Sequence, residues 1–88
     1  MVWALASIGV TAVISTAAVG SLNASLPIGS IVLVDQLVDR THGRADTYFD
    51  EQLARHLPFA DPFSPALRQI ALTACPELAP SGTLLVIQ

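Results

Sequence analysis

Residues 30–39 read SIVLVDQLVD. The apolar, β-branched run around Val32 to Val34 predicts a strand buried on both faces, as in a parallel sheet. Such a strand expects a neighbour on each side, because unpaired buried edges are costly and prone to aggregation. Working outward, "VTAVIST" at 10–16 is β-branched and too short for a helix, and predicts another buried strand. "SGTLLVIQ" at 81–88 predicts a last one. Between the first two lies "GSLNASLPIG", a loop rich in Gly, Ser, Asn and Pro.

Two helices complete the pattern. "MVWALASIG" has good helix formers and stops at Gly9, a suitable residue for a helix C-terminus. In the second, Ser64 is placed to cap the N-terminus, with Pro65 in the first helical position. That helix runs through "ALRQIALTA" with Leu67, Ile70 and Ala71 on one face, and stops before Pro76. The stretch "RTHGRADTYFDEQ" carries most of the charge and reads as a surface loop, while Pro58, Pro62 and Pro65 keep "ARHLPFADPFSP" extended or turning. The order helix, strand, strand, loop, helix, strand argues an α/β fold with buried strands.

The composition narrows the function classes. The 88 residues are 52% hydrophobic and 12% charged, against about 25% charged for an ordinary soluble domain. The net charge is −3 and the four basic residues are all arginines, so no basic stripe forms and no nucleic-acid partner is expected. Cys75 is the single cysteine, which rules out an internal disulfide, and no Cys/His spacing suggests zinc. A reducing, cytoplasmic setting fits. Residues 1–34 carry no charged side chain, yet Ser7, Gly9, Thr11, Ser15, Thr16, Gly20 and Ser21 interrupt the run and no Lys or Arg flanks it. No membrane partner is expected, and a small membrane-associated protein stands as an alternative. The apolar excess implies that something covers this chain, either a partner or the rest of a larger fold.

Three places carry potential chemistry. In "STAAVGSL" a strand leading into a turn at Gly20 can aim backbone N–H groups at an anion, with the Thr16 hydroxyl as a further donor. The same small residues would equally let a helix pack close to a sheet. His56 lies among apolar residues, where a histidine is either a packed side chain or the lining of an apolar pocket. Asp35 and Asp39 are too far apart along a strand to form a carboxylate pair, and no nucleophile–base pair can be read.

Taken together, "WALASIGVTAVI", "STAAVGSL", "LPIGSIVLVDQLVDRT", "HLPFADPFSP" and "SGTLLVIQ" resemble the trimeric purine nucleoside phosphorylase superfamily, and within it the S-methyl-5'-thioadenosine phosphorylases. The run G-x-I-V-x-x-D-Q-x-x-D-R-T, residues 29–41, is the specific part; ordinary purine nucleoside phosphorylases lack the D-R-T. The resemblance implies a partial phosphorylase/hydrolase-like fold, with a mixed buried β-sheet, flanking helices and truncation at both ends. Residues 1–88 would be the central portion of a single nucleoside phosphorylase domain.

The implied activity is that of a pentosyltransferase in purine and methionine salvage. Inorganic phosphate, the co-substrate, attacks the ribosyl carbon and a purine base leaves; no cofactor is implied. Thr16, Ala17 and Ala18 fall where the family binds phosphate, Ala18 through its backbone N–H, although Ala17 replaces a residue that is usually Thr or Asn. His56 falls where a histidine meets the methylthio end of substrate held by a neighbouring subunit, which implies a homotrimer. No catalytic residue and no metal ligand is carried over. The family's first glycine-rich strand and Arg-His-Gly segment would precede Met1, and its Glu-Gly-Pro-Arg-Phe segment would start about at Gln88. The isolated chain is therefore expected to be inactive. A non-catalytic pseudo-domain that assembles with a full-length phosphorylase is the alternative from another class.

Overall fold

The computed structural model describes residues 1–47, 49 and 55–88. Four elements form: α1 (Val2–Ser7), β1 (Gln36–Asp39), α2 (Pro65–Ala74) and β2 (Thr83–Val86). β1 and β2 pair in parallel, with Gln36 opposite Thr83 and Asp39 opposite Val86. α2 lies in the connection between them, the βαβ pattern that a parallel pair requires. The α/β class read from the sequence holds in this small form.

The parallel pairing is longer than the two named strands. Val32 bridges Ala79, and these two residues, like Gln36 and Thr83, are 47 apart in sequence. One register therefore runs from 32 to 39 against 79 to 86. The Ala79 N–H donates to Ile31 O and the Leu33 N–H to Ala79 O, both at 2.9 Å, and the Arg40 N–H closes the far end on Val86 O at 2.8 Å. The ladder loses its regular form around residues 80–82. There the Asp35 N–H donates to Gly82 O at 3.0 Å, and the Gly82 N–H turns to the Asp35 side chain, Oδ1, at 3.2 Å.

Arg68 from α2 fills the same gap. Its guanidinium donates to Leu33 O at 2.9 Å, to Val34 O, and to Pro80 O at 2.6 Å. The rigid fork of donors suits such a group of carbonyls, which a lysine would meet as a single point charge. This contact sets the rotation of the helix. Arg68, Ala71, Leu72 and Cys75 are half-buried, while Leu67 is 36% and Ile70 64% exposed. The apolar face expected from Leu67, Ile70 and Ala71 is thus corrected by about one position, because the inward anchor is a charged residue.

Both helix ends follow their local chemistry. The Ser64 side chain accepts from the Leu67 N–H at 3.3 Å, with Pro65 opening the helix as expected. Ser64→Ala should cost about 1 kcal/mol of helix stability, read as a fall in helical circular dichroism and in its melting midpoint. Unchanged melting would show that the cap is idle. At the end of α1, the Gly9 N–H donates to Ala6 O and the Val10 N–H to Leu5 O, each at 3.1 Å. Gly9 has φ +83°, the left-handed conformation that this helix stop demands.

Two expectations need correction. The strand predicted at 10–16 does not form: residues 11–20 have no regular structure and make no backbone hydrogen bond among the described residues. β-branched composition expresses fit to a paired, half-covered surface, and no strand among the described residues pairs with this segment. Nor is any described residue buried; Val32 to Leu37 reach only half-burial with one neighbouring strand. The molecular surface is 7930 Å² for 9.2 kDa, where a compact chain of that mass exposes about 4900 Å². Among the described residues, no helix is long and apolar enough to cross a membrane.

Candidate functional site

The D-Q-x-x-D-R-T run proves to be a set of anchors. Asp35 replaces a ladder partner for Gly82. Gln36 turns its Oε1 to the Leu37 N–H at 2.8 Å and its Nε2 to Ala60 O at 3.4 Å, tying the strand to the segment that carries His56. Asp39 closes a short turn, its Oδ1 accepting from the Thr41 N–H at 2.8 Å. Beyond it the His42 N–H donates to Gln88 Oε1 at 3.2 Å.

The hydrogen bonds from Thr41, backbone first, and then the nearby Arg44 charge hold the Asp39 carboxyl below its ordinary value. A depressed carboxylate contributes above its unfolded-state value, and that contribution is lost as pH falls through the lowered one. In an acid titration the Thr41 amide resonance should therefore move with a midpoint below that of a free aspartate. A midpoint at or above the free value would remove the turn.

Thr16, Ala17 and Ala18 lie exposed in the irregular segment, and the turn expected at Gly20 is absent: residues 11–22 form neither turn nor bend, and Gly20 has open space about its Cα. Their amides take no partner among the described residues. His56 is exposed, next to Arg55, whose guanidinium sits 5.6 Å from the Phe49 ring centre. Among the described residues, no hydrogen bond joins His56 to residues 16–18. The expectations that fall wholly on residues 48 and 50–54 lie outside the described residues.

A cleft of about 310 Å³ opens between Ser25–Ile31 and Cys75–Ala79. Its two hydroxyls are already committed, Ser25 to Asn23 Oδ1 at 2.7 Å and Ser30 to Pro27 O at 2.7 Å. Neither residues 16–18 nor His56 line it. Among the described residues, no group of three His, Cys, Asp or Glu side chains is gathered to hold a metal.

Asp35, Gln36 and Arg68 are the residues that pattern reading left without a role. The available signal was polarity inside apolar runs, since a polar group taken from water needs a partner.

The chain that carries these anchors matches a known family over most of its length. The description of the phosphorylase superfamily matches residues 1–84, and the chain belongs to that superfamily. More particularly, over 86 residues it is 55% identical to an S-methyl-5'-thioadenosine phosphorylase of Mycolicibacterium smegmatis, covering 98% of this chain and 32% of that protein. It is 42% identical to the enzyme of the same name from Hyperthermus butylicus, covering 99% and 33%. A probable 6-oxopurine nucleoside phosphorylase of Thermococcus kodakarensis is 38% identical, covering 93% and 35%. The chain thus spans about a third of the length of the curated relatives it matches. No solved structure matches it.

Proposed function

We propose that residues 1–88 are the central portion of a single nucleoside phosphorylase domain, with the sheet of a phosphorylase/hydrolase-like fold completed by other segments. The reaction is phosphorolysis of S-methyl-5'-thioadenosine or a related purine nucleoside. A phosphate oxygen bonds to the ribosyl carbon as the bond to the purine nitrogen breaks, and the proton that hydrogen phosphate gives up balances the one with which the base leaves. The observation that carries this reading is the 55% identity over 86 residues to a protein of that name. The surplus of exposed apolar surface, with Ile14 at 87% and Leu22 at 91%, supports it.

In this reading Thr16, Ala17 and Ala18 form the phosphate site, Ala18 through its backbone N–H, once neighbouring segments turn the stretch. His56 meets the 5' substituent of a nucleoside held by the next subunit of a homotrimer. Phosphate is the co-substrate, no further cofactor takes part, and the setting is cytoplasmic purine and methionine salvage. Alone, the 88 residues are inactive.

The test is a transplant. The 86 matched residues replace the corresponding third of the Mycolicibacterium smegmatis relative, and adenine release from methylthioadenosine is followed with and without phosphate. Phosphate-dependent release is expected, with inosine as the comparison for base preference. A folded chimera that assembles without turning over either nucleoside would favour the pseudo-domain and overturn the proposal.

A further inference from the structure

Resting on the reading of His56 as a substrate contact, we infer that Gln36 is a positioning residue for it, acting through the Ala60 carbonyl. The amide of Gln36 is oriented by its own strand: Oε1 accepts from the Leu37 N–H at 2.8 Å, which leaves Nε2 as the outward donor. That donor reaches Ala60 O at 3.4 Å, across 24 residues of sequence. Gln36 is half-buried at the head of β1, where the parallel pairing with Thr83 fixes its backbone.

The segment it holds is built to transmit position. Between His56 and the start of α2 the chain reads Leu57-Pro58-Phe59-Ala60-Asp61-Pro62-Phe63-Ser64. Pro58 and Pro62 fix their own φ angles and restrict the residues before them, Leu57 and Asp61, to extended conformations. The far end is fixed as well, by the Ser64 cap and by Arg68 on the strand carbonyls. Residues 56–64 are exposed save Pro62 and Phe63, so burial does little to place them. The Gln36 bond ties Ala60 to the sheet. Without it, the segment before Pro62 keeps its stiffness but loses its direction.

Gln36→Glu keeps the acceptor for Leu37 and removes the donor to Ala60. In the full 88-residue chain, the amide resonances of Phe59 to Asp61 and the ring resonances of His56 should shift, while amide exchange at Leu33 and Gly82 stays as it was. In the transplanted enzyme, the same change should raise KM for methylthioadenosine roughly two- to fivefold, the effect of one long, exposed hydrogen bond, with kcat kept. Gln36→Glu combined with His56→Ala should then be no worse than His56→Ala alone. Unmoved resonances from 56 to 61 in the Gln36→Glu and Gln36→Met variants would overturn the inference. If those resonances move but His56→Ala leaves KM unchanged, the role given to His56 fails instead, and the tie from Gln36 stands as structure only.

Discussion

Arg68→Met should loosen the parallel pair by about 3 kcal/mol, since hydrogen bonds from a charged donor contribute roughly 1.5–3 kcal/mol each and one of the three acceptors can turn to water. The guanidinium is the donor that Leu33 O, Val34 O and Pro80 O share. Methionine keeps the length and helix preference of the side chain, so α2 itself should persist. Amide exchange at Leu33, Asp35 and Ala79 should quicken by about two orders of magnitude, with helical circular dichroism nearly unchanged. Arg68→Lys should recover only part of the protection, because one ammonium cannot match three spread carbonyls. Undisturbed exchange in the methionine variant would show that the pairing stands without its clamp.

The second large effect is expected at Gly82. A Cβ built there lies 2.6 Å from Val32 Cγ1, well inside contact distance, with Val32 Cβ at 3.9 Å. Val32 is β-branched and stiff at χ1, so it cannot swing aside without leaving its preferred rotamer. Gly82→Ala should therefore cost about 1–3 kcal/mol by overpacking, seen as lost protection at Asp35 and Leu33. The companion change Val32→Ala empties the contested space, and the double variant should regain most of what Gly82→Ala loses. Additive losses in the double-mutant cycle would mean that the two residues do not meet.

How far the sequence led can be judged from particular elements. α2 was legible to its caps, because Ser64 and Pro65 act locally and need no distant partner. So was the end of α1, where Gly9 supplies a left-handed φ. β1 and β2 were legible as strands, but their partnership was not, since pairing joins residues 47 apart. The segment 10–16 shows the opposite failure: its β-branched residues describe a strand for which the described chain holds no edge partner. Motif resemblance gave the family ahead of any coordinates. It could not give the work of Asp35, Gln36 or Arg68, whose carboxylate, amide and guanidinium answer carbonyls and N–H groups that only the folded register brings near.

The constant offset of the parallel pair separates tolerant from intolerant sites for insertion. Extra residues between Arg44 and Thr47 fall in the crossover, outside both strands, and doubling a flexible loop adds about 0.6 kcal/mol of closure entropy. One extra residue between Ala79 and Thr83 would do something else. It would put Val32 and Gln36 in different registers, and every side chain beyond it would change faces. Gly82 would leave Asp35, and the Pro80 carbonyl would leave Arg68. Residues 44–47 are therefore the place for a tag or a reporter, and the short stretch before β2 is the place where a single codon would undo the sheet.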